Sequence, residues 1–221
     1  MDIKAAIFDM DGTLIDSLMI WDVIWSNFGE TYLNNKDFRP SKEDDKKVRT
    51  LTLKDAMTLI HKHYNIGQSD GELLSFANRI MLDFYSNQVV LKAGVKEFLE
   101  YCKNNGVKMC IATATAPELL NIALNHCGIS KYFLKVFSCS DIGKGKDDPE
   151  IFMRAKEFLG EKTNETWVFE DSLVAIETAT KIGIPTVGIY DSFNYGQDRI
   201  KEIASEYIAQ GQTLLRLIKY N

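Results

Sequence analysis

The chain lacks much of what marks several large functional classes. Its 221 residues hold only four cysteines (Cys102, Cys110, Cys127 and Cys139), scattered and without a C-x-x-C pair. Spaced like this they are expected to be reduced, structural thiols of a cytosolic protein. There is no surplus of basic charge: 26 Lys and Arg against 31 Asp and Glu leave a net charge of −5. A basic face for nucleic acid is therefore not expected. No apolar run approaches the roughly 20 residues that cross a bilayer, so no membrane association is expected. Before Asp9 the N-terminus offers one Lys and about five apolar residues, too few for a secretory signal. The expected location is the cytoplasm. Repeats and low-complexity segments are absent too. What remains is 45% hydrophobic, enough to bury a core as one domain, or one domain plus an insert.

Short apolar runs bounded by turn or charged residues occur at Lys4–Phe8, Val107–Ala112, Lys135–Ser138, Thr166–Phe169 and Thr186–Ile189. Such runs suit buried parallel strands. Between them lie helix-period stretches at Val95–Asn104, Pro117–Cys127, Pro149–Leu159 and Ser172–Ile182. Pro117 and Pro149 suit first helical turns, and Gly128, Gly160 and Gly183 suit helix ends. The alternation predicts an α/β domain with a parallel sheet and helices on both faces.

One segment interrupts it. From about Asp16 to Tyr85 only amphipathic helical patterns occur, carrying Trp21, Trp25, Phe28 and Tyr32, then Ala56, Met57, Leu59 and Ile60, then Leu73, Leu74, Phe76, Ala77 and Ile80. Its charge run Lys42 to Lys47 suits a solvated turn or helix face. This reads as a helical subdomain, residues 16–85, inserted into a core of residues 1–15 and 86–221.

In such sheets ligands bind at the carboxyl ends of the strands. The first expected strand ends in Asp9-Met10-Asp11-Gly12-Thr13 and the second in Thr113-Ala114-Thr115. The third precedes "SDIGKGKDDPEIF", with Lys144 and Lys146, and the fourth ends in Glu170-Asp171. Carboxylates gathered on one rim call for a cation, and hard oxygen ligands favour Mg²⁺, which usually shares a substrate phosphate. A lysine and a threonine would supply a second electropositive face for that phosphate. An ionised Asp can attack phosphorus without a neighbouring base. Asp11 could protonate the leaving oxygen and then deprotonate the water that hydrolyses the acyl phosphate. Gly12 suits a tight turn just behind the acids.

Each element alone has a plainer role. D-x-D-G can open a calcium loop, but the acid required at loop position 12 would be residue 20, which is Ile20. Thr113 could be a strand-end hydroxyl, Lys146 a solvated charge, and Glu170-Asp171 a cap for the following helix. Only their joint placement, in order and each after a strand, argues for a site.

Taken together these segments resemble the haloacid dehalogenase superfamily over essentially the whole chain. The superfamily's first motif, D-x-D-G-T, corresponds to Asp9–Thr13 and its second to Thr113. Its third, a Lys ahead of a helix often opening P-D/E-I-F, corresponds to Lys146 before Pro149-Glu150-Ile151-Phe152, and its fourth to Glu170-Asp171. The resemblance implies a Rossmann-like core, a mobile helical cap inserted after the first motif, and Mg²⁺-dependent phosphoryl transfer. It implies Asp9 as nucleophile and Asp11 as general acid and base. It implies a metal held by Asp9, the backbone carbonyl of Asp11, and Asp171 with help from Glu170. Thr113, the amide of Ala114 and Lys146 would hold the phosphoryl group. Dehalogenases of the superfamily lack the second Asp, so Asp11 argues against dehalogenation.

The third motif commonly reads Lys-Pro, whereas Asp147 follows Lys146, and Lys144 is a rival. Among capped members the chain is also similar to β-phosphoglucomutase. Where that enzyme carries a cap His and a cap Arg for its sugar phosphate, this chain has Trp21 and Leu53. The expected function is a phosphatase acting on a small phosphomonoester, with sugar phosphates as candidates, and a monomer is expected. The alternatives are a phosphosugar mutase and a non-catalytic phosphate-binding regulatory module. Substrate choice would rest on cap side chains such as Trp21, Trp25, His61 and His63; the last two, at i and i+2, fall on different helix faces.

Overall fold

A strand without a polar residue must be covered on both faces and paired on both edges. In a computed structural model describing residues 2–49 and 51–218, the run Ala5-Ala6-Ile7-Phe8 meets that requirement as β1 (Ala5–Phe8), with all four side chains buried. Residues 1, 50 and 219–221, which fall inside the expected domain ranges, lie outside the described residues. After β1 comes the two-residue strand β2 (Ile15–Asp16), then the helices α1 (Ile20–Phe28), α2 (Lys42–Val48), α3 (Leu53–Tyr64) and α4 (Asp70–Asn87). The strand β3 (Val90–Leu91) returns antiparallel to β2. Helices and strands then alternate as α5 (Val95–Asn104), β4 (Lys108–Thr113), α6 (Pro117–His126), β5 (Lys135–Ser138), α7 (Cys139–Ile142), α8 (Glu150–Leu159) and β6 (Thr166–Glu170). They end with α9 (Leu173–Lys181), β7 (Thr186–Ile189), α10 (Gln197–Ile203) and β8 (Glu206–Ile208).

The chain divides into two units, one formed by the segments up to Ser17 and from Val89 onward, the other by Leu18–Gln88. The first is a six-stranded parallel sheet in the order β5-β4-β1-β6-β7-β8, a Rossmann-like α/β fold. From β1 the chain builds outward to β4 and β5, then returns to build β6, β7 and β8 on the other side. That reversal opens the crevice in which such sheets bind ligands. Side chains alternate across the sheet. Ala5 and Ile7 join Phe152 and Ala155 of α8 and Ala175 and Ala179 of α9 in one buried cluster. Phe8 stacks on Phe169 at 4.5 Å between centroids and meets Phe98 of α5 edge-on at 6.3 Å.

In the helical unit, Ile24, Trp25, Phe28, Ala56, Met57, Ile60, Leu73 and Ala77 are buried. The charge run forms α2: Ser41 caps it by accepting from Asp44 N (3.1 Å), acids fill its first turn and lysines its last, as the helix dipole favours. All four cysteines are free, and burial raises each thiol above its usual range, Cys102 to about 12. Among the described residues no helix is long and apolar enough to cross a membrane.

Several short elements depart from the expected pattern. Asp16 belongs to β2, in a stretch expected to hold no strand. Two residues are too few to show a period, and β2 exists only through its pairing with β3. α10 and β8 were not anticipated, because Glu206-Tyr207-Ile208 is half polar and becomes a strand by pairing with β7. At that edge the packing is close. A Cβ on Gly188 of β7 would stand 2.4 Å from Ile200 Cγ2 and 3.1 Å from Tyr207 Cδ2. Neither neighbour is the free end of a flexible chain, so Gly188→Ala is expected to cost about 1–3 kcal/mol. Urea unfolding should show a lower midpoint at unchanged slope; an unchanged midpoint would contradict this packing.

Candidate active site

Because β1 is central, the residue after it emerges between the ends of two neighbours. Phe8 is level with Ile111 of β4 and with Phe169 of β6, which sets Asp9 beside Glu170 and places Thr113 two residues past its own partner level. Asp9 N continues the ladder by donating to Phe169 O (2.9 Å). The chain then turns sharply: Gly12, at φ +79°, donates to Ile15 O (3.0 Å), and Leu14 and Ile15 both donate to Met10 O (2.9 and 3.0 Å). A side chain at that φ would be strained, which is why glycine follows the acids.

Asp9, Glu170 and Asp171 are all buried, and one oxygen from each lies within 4.8 Å of the others. Lys146 forms ion pairs with both Asp9 Oδ1 and Glu170 Oε1, its side chain only 11% exposed. Its rival Lys144 instead pairs with Asp148 (2.9 Å) on the surface. Glu170 spends its second oxygen accepting from Ser172 N (2.9 Å) at the start of α9, so it serves helix and cluster together. Thr113 is buried, its hydroxyl accepting from Thr115 N (3.0 Å), and Ala114 is exposed between them.

Three carboxylates facing one ammonium leave two negative charges uncompensated. Burial adds to the cost of that excess. Burial, only partly relieved by Lys146, holds the Asp9 carboxyl well above the usual carboxylate range. Burial and the Glu170 charge push Asp171 up to about 7. For Lys146 burial disfavours the charge, but Asp9 and Glu170 outweigh it and hold the ammonium protonated. A divalent cation with oxygen ligands would neutralise the surplus, and this donor set of carboxylates without sulfur or imidazole suits Mg²⁺. Among the described residues, this is the one group of three or more acidic, His or Cys residues with ligand-like convergence.

Asp11 stands apart from that group. Its Oδ1 accepts from Ser17 Oγ (2.7 Å) and its Oδ2 from Thr115 Oγ1 (2.6 Å). Two residues at the rim were not read from the sequence: Thr13 Oγ1 donates to Asp171 Oδ1 (3.0 Å), and Asn194 Nδ2 to Asp171 Oδ2 (2.6 Å). Thr13 lay inside the quoted motif. Asn194 follows β7, beyond the four strand ends that carry the motifs. In the helical unit Trp21 stacks on Trp25 at 5.5 Å, and Trp25 is buried with Nε1 donating to Asp45 (2.9 Å). His61 bonds Ile66 O (2.8 Å) and His63 bonds Asp44 (3.0 Å).

The sequence matches the haloacid dehalogenase-like hydrolase family over residues 6–189. It is 26% identical to the phosphorylated carbohydrates phosphatase of Thermotoga maritima over 221 residues, covering 98% of each chain. It is 29% identical to protein CbbY of Rhodobacter capsulatus over 208 residues, 90% of each. A crystal structure of β-phosphoglucomutase from Clostridium difficile superposes with a TM-score of 0.72 at 18% identity, covering 94% of this chain and 91% of the other, a likeness of fold. With its D-x-D-G-T turn at the end of the central strand and a match spanning most of its length, the chain belongs to the haloacid dehalogenase-like hydrolase family of enzymes.

Proposed function

We propose that the protein is a Mg²⁺-dependent phosphatase that hydrolyses a small phosphomonoester through an aspartyl-phosphate. The observation that carries this reading is the buried carboxylate of Asp9, poised at the end of β1 and bonded to Lys146 inside a cluster two positive charges short of balance. Bound Mg²⁺ would be held by Asp9 and Asp171, with Glu170 beside them and the Asp11 backbone carbonyl as a further ligand, and would supply charge neutralisation for the phosphate.

The chain's own groups perform the rest. Thr113, the Ala114 amide and Lys146 bind the phosphoryl oxygens and orient phosphorus towards Asp9. An Asp9 oxygen forms the new bond to phosphorus as the bond to the leaving oxygen breaks, and Asp11 gives that oxygen its proton. Asp11, now ionised, takes a proton from water as the water attacks phosphorus, releasing inorganic phosphate and restoring Asp9. The hydroxyls of Ser17 and Thr115 suit a group that alternates, since each donates to the carboxylate and can rotate to accept from the acid. The name of the Thermotoga maritima relative supports a phosphorylated sugar as substrate.

Asp9→Asn keeps size and removes the attacking charge. Turnover of an aryl phosphate is expected to fall to background with circular dichroism unchanged, and no acid-labile phosphoryl-enzyme should form; substantial residual activity would rule Asp9 out as nucleophile. Chelation is expected to abolish activity, and Mg²⁺ to restore it better than Ca²⁺, whose larger, looser shell misplaces the phosphate. Activity indifferent to chelation would contradict the metal reading.

A mutase must hold a second sugar hydroxyl over the aspartyl-phosphate and keep water from it. At the positions where β-phosphoglucomutase carries polar cap groups, Trp21 offers one donor and no acceptor, and Leu53 offers neither. Hexose 1-phosphates are therefore expected to release inorganic phosphate in proportion to substrate lost. Phosphorus NMR would show the opposite, accumulation of the 6-phosphate without inorganic phosphate, if the enzyme were a mutase.

A further inference from the structure

The loop after β7 contributes to the rim although none of the four motifs reaches it. Asn194 Nδ2 donates to Asp171 Oδ2 (2.6 Å) and also to the Asp171 backbone carbonyl (3.0 Å). Its Oδ1 accepts from Tyr195 N (2.8 Å). Those partners fix which way the amide faces, because two acceptors need its NH₂ and a backbone N–H needs its oxygen. The loop itself is pinned. Asp191, 3% exposed, accepts from Phe193 N through Oδ1 (2.8 Å), takes Asn194 N on its carbonyl (3.2 Å) and pairs through Oδ2 with Lys92 Nζ (2.6 Å). Lys92 is anchored in turn, its N donating to Leu14 O (3.0 Å) just behind the acidic turn.

Asp171 needs such a hold. Its neighbours Asp9 and Glu170 carry the same charge within a few ångströms, and rotation about its side-chain bonds would relieve the repulsion. Thr13 on Oδ1 and Asn194 on Oδ2 are neutral donors that keep the carboxylate turned into the cluster while leaving each oxygen a further lone pair. We propose that Asn194 is a positioning residue for the divalent-cation site, holding Asp171 in its ligating orientation before the cation arrives. The proposal rests on the reading of Asp171 as a metal ligand. Groups that orient ligands typically contribute about 10- to 100-fold in metal affinity.

The test uses Mn²⁺ as the probe, a hard cation taken by the same oxygen ligands, titrated into the substrate-free protein and followed by the electron paramagnetic resonance of the free ion. For Asn194→Ala the dissociation constant is expected to rise about 10- to 100-fold. In turnover, the Mg²⁺ concentration giving half-maximal rate should rise similarly, with most of the lost rate returning at saturating Mg²⁺. Should the alanine variant not fold, Asn194→Ser, whose side chain is too short to reach both the carboxylate and the backbone carbonyl of Asp171, is expected to shift binding in the same direction. A dissociation constant within about threefold of the unsubstituted protein, far below the range for orienting groups, overturns the proposal. Asp171→Ala separates this failure from that of the underlying reading. If it abolishes Mn²⁺ binding while Asn194→Ala leaves it intact, only the role of Asn194 falls. If Asp171→Ala binds Mn²⁺ normally, the metal assignment falls with it.

Discussion

The organisation of the core turns on the contact of Lys146 with Asp9 and Glu170. Three buried carboxylates cannot share so small a space unless positive charge stands among them, since burial and mutual repulsion both penalise ionisation. Lys146 supplies part of what is needed, and its own burial is tolerated only because it has two anionic partners. The remainder is left open: Asp9 and Asp171 are both driven above their ordinary range. A cluster that is short of positive charge in this way is a poor structural ion pair and has the charge and donor atoms that suit a divalent cation.

The sheet is what makes that crowding possible. Parallel strands end at the same edge, so residues far apart in sequence, at positions 9, 113 and 170, arrive on one rim with no need for long loops. The apolar β1, buried on both faces and paired on both edges, gives Asp9 a rigid base. Phe8 and Phe169, fully buried and stacked on each other, precede Asp9 and Glu170 in their strands and fix the strand ends from which those acids emerge.

Around the charged cluster lies a layer of neutral donors, each aimed at a particular carboxylate oxygen. Thr13 and Asn194 hold Asp171, Ser172 N holds Glu170, and Ser17 with Thr115 hold Asp11. Asp11 differs from Asp9 and Glu170: both its oxygens meet hydroxyls, which can reverse their role, whereas Asp9 and Glu170 meet the Lys146 ammonium. Hydroxyl partners can follow a change of charge on the group they hold, whereas an ammonium cannot.

What the sequence determined by itself was local in origin. Apolar runs alternating with 3.6-period stretches carried the α/β class and located five of the six strands of the parallel sheet, because buried strands and amphipathic helices each write their own period. D-x-D-G-T directly behind the first run, with Pro149-Glu150-Ile151-Phe152 and Glu170-Asp171 following in order, carried the family. Tertiary structure decided what depends on partners remote in sequence. β8 and the β2–β3 pair are too short to carry a pattern and exist through their hydrogen-bonded neighbours. Lys144 and Lys146 are alike in one dimension, and only the path of the loop turns one to Asp148 on the surface and the other to Asp9 and Glu170. Asn194, 23 residues from Asp171, has no signature at all, because an amide in a polar loop acquires meaning only from the oxygen it faces in the folded chain.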